Sequence, residues 1–266
     1  MLFQFKMREV VDCELQTTEV GKRCPSWFYM TDSDYHVDLG EVKLFESSLE
    51  YLEKYSNEPK YFNYQYARFL EDLFHELPRL SCPIPTDLYA YINTDDKRCL
   101  LHNRLLDLDW WDKEKSIEMQ SAIEDNVFES LISYGYFIQM PPSISGQIFH
   151  VADEIILRYD VSGHDEDGTV WWTATSGEYR LSYKAFLGEV EDLLQRFFTR
   201  MDKQVENVLK NFTSNEVKCS NIVAEHEERR KQFHDVLNNV KQGAYENLVD
   251  WEKVREDLTY IMENSK

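Results

Sequence analysis

Nine apolar side chains, Phe186, Val190, Leu193, Leu194, Phe197, Met201, Val205, Val208 and Phe212, recur almost throughout at intervals of three or four residues. They form one stripe along a helix of about seven turns. A helix that long with a single apolar face has to lie on a broad apolar surface, which the rest of the chain must supply. Ser182 stands where its N-cap belongs.

Strands are the natural source of that surface. Phe3, Phe5 and Met7 alternate with polar residues, the period of two expected of a half-buried strand. Trp27 to Met30 reads as a short aromatic strand and Thr31 to Asp34 as a turn. Tyr35, Val37 and Leu39 alternate again, and the parity switches at Val42 and Leu44. Gly40-Glu41 accounts for the switch as a type II′ hairpin, with a β-bulge as the other reading. In the second half Ile155, Leu157, Tyr159 and Val161 alternate, Gly163 to Gly168 is a polar hairpin loop, and Val170 to Ala174 returns as a strand.

Helical spacing appears at Tyr66, Phe69, Leu70, Leu73, Phe74 and Leu77, in a helix ended by Pro78 that should cover one face of the first meander. Cys82 to Ile92 reads as an irregular crossing, Thr94 to Arg98 as an exposed loop, and residues 105 to 134 as mostly helical. Two more helices follow, Ile222 to Val240 and one capped by Asp250, both expected to buttress the second half. Pro141-Pro142 marks the best boundary. The expected fold class is therefore α+β, with two antiparallel meander-plus-helix lobes, 1–140 and 141–266, and C-terminal helices.

Charge narrows the function. Of 266 residues, 49 are Asp or Glu and 29 are Lys or Arg, a net charge of −20, of which −18 lies in the first 199 residues. Such a chain repels nucleic acid and anionic membrane and attracts basic partners. Five scattered cysteines without a C-x-x-C pair suit a reducing cytoplasm. The N-terminal alternation reads as a strand and not a signal peptide, and nothing resembles a membrane span.

Catalytic spacings are wanting. His226-Glu227-Glu228-Arg229-Arg230 has Arg230 where a zincin needs its second histidine, so a solvated helix face is the expectation. Asp160, Ser162 and His164 share a hairpin tip, where a hydrolytic triad cannot converge. The tip Asp165-Glu166-Asp167 lacks the ligand spacing of a calcium loop. Trp110, Trp111, Trp171 and Trp172 could stack on sugars, although a doubled tryptophan on a strand sends one ring to the core. No cofactor or metal is expected.

Ser26-Trp27-Phe28-Tyr29-Met30-Thr31-Asp32, Val37-Asp38-Leu39-Gly40, Glu71-Asp72-Leu73, Asp167 to Ala174, Glu225 to Arg229 and Asp250-Trp251 together resemble an uncharacterised bacterial domain family. The resemblance spans nearly the whole chain and implies a fold without a reaction. In general style it is similar to bacterial immunity and antitoxin-like proteins.

The expected function is a cytoplasmic acidic binding protein for a basic toxin or effector, more a binder than an enzyme. Its candidate contact residues are Asp107, Asp109, Trp110, Asp112, Asp165, Glu166 and Asp167. A carboxylate-based hydrolase and a nucleic-acid mimic are the alternatives. Oligomeric state is not legible.

Overall fold

The computed structural model describes residues 1–10, 16–17, 23–24, 26–107, 117–137, 143–211 and 222–265. It has the expected α+β class. The strands are β1 (Phe3–Met7), β2 (Gln16–Thr17), β3 (Arg23–Cys24), β4 (Asp32–Asp38), β5 (Lys43–Leu44), β6 (Phe62–Gln65), β7 (Tyr136–Phe137), β8 (Ile144–Val151), β9 (Glu154–Val161) and β10 (Gly177–Ser182). The helices are α1 (Leu49–Lys54), α2 (Tyr66–Leu80), α3 (Thr86–Tyr89), α4 (Asp95–Leu106), α5 (Ile117–Val127), α6 (Tyr183–Asn211), α7 (Ile222–Lys241) and α8 (Trp251–Asn264).

Strand β4 is the spine of the first sheet. It pairs antiparallel with β1 along one edge and with β5 and β6 along the other. Ser33, Tyr35 and Val37 point inward. The β4–β5 hairpin turns through Gly40 at φ 85° while Glu41 keeps a negative φ, which is the type II′ pattern. The second sheet is an antiparallel meander, β7-β8-β9-β10. Its inner residues Ile148, Ile155 and Leu157 meet Phe3, Val37 and Leu44 of the first sheet around a residual gap of about 20 Å³.

Helices close both sides of this pair. α2 lays Phe69 against Phe3 and Tyr35, as its stripe requires. α6 brings Phe197 against Phe5, Trp27 and Tyr66, and each such buried ring is worth about 2–3 kcal/mol. Polar ties hold α6 against the stretch that follows β1 and the turn before β4. Fully buried Gln204 accepts from the Val10 amide at 3.2 Å and donates to the carbonyls of Arg8 at 2.6 Å and Met30 at 3.2 Å, so the buried amide is satisfied. Buried apolar residues of both halves belong to one contiguous cluster.

Several local expectations are corrected. Trp27 to Met30 is no strand: Tyr29–Thr31 is a 3-10 turn, and β4 already begins at Asp32, within the stretch Thr31 to Asp34 that reads as a turn. The Thr31 hydroxyl decides this, donating back to the Phe28 carbonyl at 2.6 Å and accepting the Ala67 amide of α2 at 3.1 Å. Thr94 to Arg98 is a helix start: the Thr94 hydroxyl caps the Lys97 amide and Asp95 and Asp96 lie in the first turn, where the helix dipole favours carboxylates. Pro78 lies inside the last turn of α2 instead of ending it. The Cys82 to Ile92 crossing contains α3 and bridges Ile84 to Val151. α7 packs on α2 as well as on α6, and α8 packs on α5 and α4, so the C-terminal helices brace the N-terminal half too.

Candidate functional site

The second sheet contains an excursion. β9 does not pair with residues 170–174; its partners are β8 and β10, and residues 162–176 between β9 and β10 leave the sheet. They reach the N-terminal half. Ser47 forms an antiparallel bridge with Trp172, the Ser48 amide donates to the Trp171 carbonyl at 2.8 Å, and the Thr173 amide donates to the Glu46 carbonyl at 2.9 Å. The segment that receives them leaves β5 through Phe45, a buried residue at φ 72°. That left-handed turn costs a side-chain-bearing residue about 1–2 kcal/mol. It swings the chain away from β4 and into the seam.

A cleft of about 560 Å³ opens along this seam. Its walls are aromatic: Tyr51, Tyr55, Tyr61 and Phe62 from the N-terminal side, Trp171 and Trp172 from the excursion. Trp172 is buried and Trp171 half-buried, the split expected of the doubled tryptophan. Tyr51 and Tyr55, one turn apart on and just after α1, have ring centroids 4.8 Å apart.

Asp165 anchors one wall. Its carboxylate accepts from Lys54 Nζ at 2.7 Å, the Tyr55 hydroxyl at 2.8 Å and Trp171 Nε1 at 2.6 Å. These donors hold its pKa below the usual carboxylate range, Lys54 foremost. Lys54 also reaches Asp167 at 2.7 Å, and Asp167 accepts the Thr169 hydroxyl at 2.8 Å. Lys54, then Thr169, pull the Asp167 pKa down to about 2. The acidic tip is therefore latched onto α1. An ammonium fills the place between the two carboxylates that a calcium ion would need.

The tyrosines register the local field. Burial raises the Tyr51 pKa, helped by the negative charge of Glu58 and Asp165, and the bond to Asp165 raises that of Tyr55. Glu58 and Asp165 are the carboxylates of the cleft, with Arg8 on its wall and Lys54 bound to Asp165. Asp165, held ionised, is unsuited to the general-acid role in a carboxylate-based hydrolase.

Of the candidates read from the sequence, Asp165 lines the cleft, Glu166 and Asp167 are exposed beside it, and Asp107 is exposed at the C-terminus of α4. Asp109, Trp110 and Asp112 lie outside the described residues. Asp160, Ser162 and His164 do not assemble: Asp160 accepts the Ser176 hydroxyl at 2.6 Å and His164 is bonded to the Asp165 carbonyl at 3.1 Å. Sequence reasoning missed Tyr51, Tyr55, Tyr61, Phe62 and Lys54. Their available signal was local, two tyrosines four apart followed by the run Tyr61 to Tyr64.

His226 corrects another expectation. Only 2% exposed, it accepts from Trp27 Nε1 at 3.3 Å through Nδ1 and meets Asp202 at 2.9 Å through Nε2. Neighbouring Arg229 lies over the rings of Trp27 and Phe28 and pairs with Glu71 at 2.8 Å. Trp27-Phe28, Glu71 and His226 to Arg229 are motif positions far apart in the chain, and here they join α2, α6 and α7. The pattern extending over residues 2–257 is that of a family of unknown function. The chain belongs to DUF5984. No curated protein and no solved structure matches it. In this member of DUF5984 the motif cluster is packing, whereas Asp167, Trp171 and Trp172 border the cleft. Among the described residues no three His, Cys, Asp or Glu side chains gather as metal ligands, and no helix is long and apolar enough to cross a membrane.

Proposed function

We propose that this protein is a cytoplasmic binding protein of the immunity or antitoxin kind, whose aromatic cleft receives a cationic side chain of a basic toxin or effector. The observation that carries the reading is the cleft's aromatic lining, Tyr51, Tyr55, Tyr61, Phe62, Trp171 and Trp172, with Glu58 and Arg8 also on its walls and Asp165 held by Lys54; ring faces of this kind attract guanidinium and ammonium groups. Its surroundings suit a protein partner. Leu49 and Val170, 78% and 46% exposed, sit beside the seam, where the Ser48 hydroxyl donates to the Val170 carbonyl. Exposed apolar side chains around a pocket with charged walls are the makeup of an interface anchor. The net charge of −20 would steer a basic partner toward the surface.

A fluorescence titration with an arginine-rich peptide, and with the same peptide carrying citrulline for arginine, tests this. The arginine peptide should quench tryptophan emission and bind at least about tenfold tighter than the citrulline peptide, with affinity falling as salt rises. Trp171→Ala should remove most of that preference. Equal binding of the two peptides, or affinity indifferent to salt, would overturn the reading.

A further inference from the structure

Among the described residues β10 pairs with β9 on one side and with no strand on the other. Bonding parity shows which groups line the open side. The Tyr183 amide donates to the Asp153 carbonyl at 2.8 Å, next in register after Ser182 opposite Glu154. Antiparallel partners alternate between bonded and non-bonded pairs, so Leu181, Tyr179 and Gly177 bond to β9 while the amides and carbonyls of Glu178 and Arg180 turn outward. No hydrogen bond among the described residues reaches these outward groups. Glu178, Arg180 and Ser182 are exposed, and Gly177, Tyr179 and Leu181 between them are half-buried.

Sheet edges are commonly kept short or covered, because an open one is a template for another strand. Elsewhere this fold does both. At the free edge of β1, Arg196 of α6 donates to the Phe3 carbonyl at 2.8 Å, and β7, the opposite margin of the second sheet, has two residues. β10 has six, about 20 Å of strand.

Its charges decide which strand completes it. Glu178 and Arg180 stand two residues apart on one face and already attract each other, at 2.6 Å. A second β10 running antiparallel must set outward-bonding residues opposite outward-bonding residues. Centred on Arg180 or on Glu178, that pairing brings like charges face to face, which is destabilising. Centred on Tyr179, it places Glu178 of each copy opposite Arg180 of the other. Both of these pairs then exchange backbone bonds, and both carry opposite charges.

We propose that two copies of this chain pair through β10 in that register, joining their second sheets into one continuous sheet about a twofold axis at Tyr179. The dimer is weak and reversible. A net charge of −20 on each chain opposes it, and a six-residue edge is small beside the roughly 1,200–2,000 Å² of a stable complex.

Sedimentation equilibrium of the full chain tests this. In about 0.15 M salt, where charge repulsion is screened beyond about 8 Å, monomer and dimer should exchange with a Kd between about 10 and 500 μM. Glu178→Arg and Arg180→Glu each put like charges opposite one another, and each alone should weaken the dimer at least about tenfold. Both residues are exposed, so each variant should melt within about 3 °C of the wild type. Mixed in equal amounts, the two folded variants should associate as tightly as the wild type, because the exchange of signs re-creates both opposite-charge pairs. A wild-type chain that stays monomeric up to about 1 mM, single variants that dimerise as the wild type does, or a mixture of folded variants that stays monomeric would each overturn the proposal.

Discussion

Lys54 shows how one side chain changes the meaning of an acidic motif. In the sequence, Asp165-Glu166-Asp167 is a run of charge at a loop tip; in the fold, one ammonium spans two of the three carboxylates. The depressed pKa of Asp167 has a testable sign. A carboxyl whose folded pKa lies below its unfolded value contributes stability above the unfolded pKa, and loses it as pH falls through the folded one. For Asp167 the window runs from the ordinary aspartate value of 3.8 down to about 2. An NMR titration of its side-chain carboxyl should give a midpoint of about 2, and Lys54→Met should move that midpoint up toward the ordinary range. A wild-type midpoint near 3.8 would show that the latch does not hold in solution.

Among the elements, the tightest junction is where the turn before β7 meets β8. Gly135 has φ 69°, and a Cβ placed on it would lie 1.8 Å from the Ile148 carbonyl oxygen, which is backbone and cannot rotate away. The two chains are stitched there, with the Ile148 amide donating to the Gly135 carbonyl at 2.9 Å and the Gly135 amide to buried Glu76 at 3.3 Å. Gly135→Ala combines left-handed strain with overpacking and should cost about 2–5 kcal/mol. Chemical denaturation would measure it, and a loss below about 1 kcal/mol would mean that the junction relaxes. Elements with strong periodicity, α2, α6, α7, α8, β1 and β9, are readable because burial on one face imposes a repeat. The α4 start and the Trp27 turn are not, because a capping hydroxyl, Thr94 or Thr31, outweighs the local composition that suggests a loop or a strand.

At the scale of the molecule, the apolar cluster runs without a break from the first sheet through α2 and α6 to the second sheet. Thermal unfolding followed by far-UV circular dichroism and by tryptophan fluorescence should therefore give coincident midpoints, and two separated transitions would show that the halves unfold independently. The α+β class, the long helix, the caps at Ser182 and Asp250 and the burial of one ring of Trp171-Trp172 all follow from the sequence, since each depends on spacing within a short stretch. The cleft does not. It is built where residues 46–63 meet residues 163–174, and no local repeat records a contact between segments more than a hundred residues apart. Likewise, only the fold makes β10 a free edge, because its place in the sheet depends on which other strands pair. Local periodicity set the long elements, from β1 and β9 to α2, α6, α7 and α8; which side chains share a cavity was decided by tertiary packing, which alone fixes distances between remote parts of the chain.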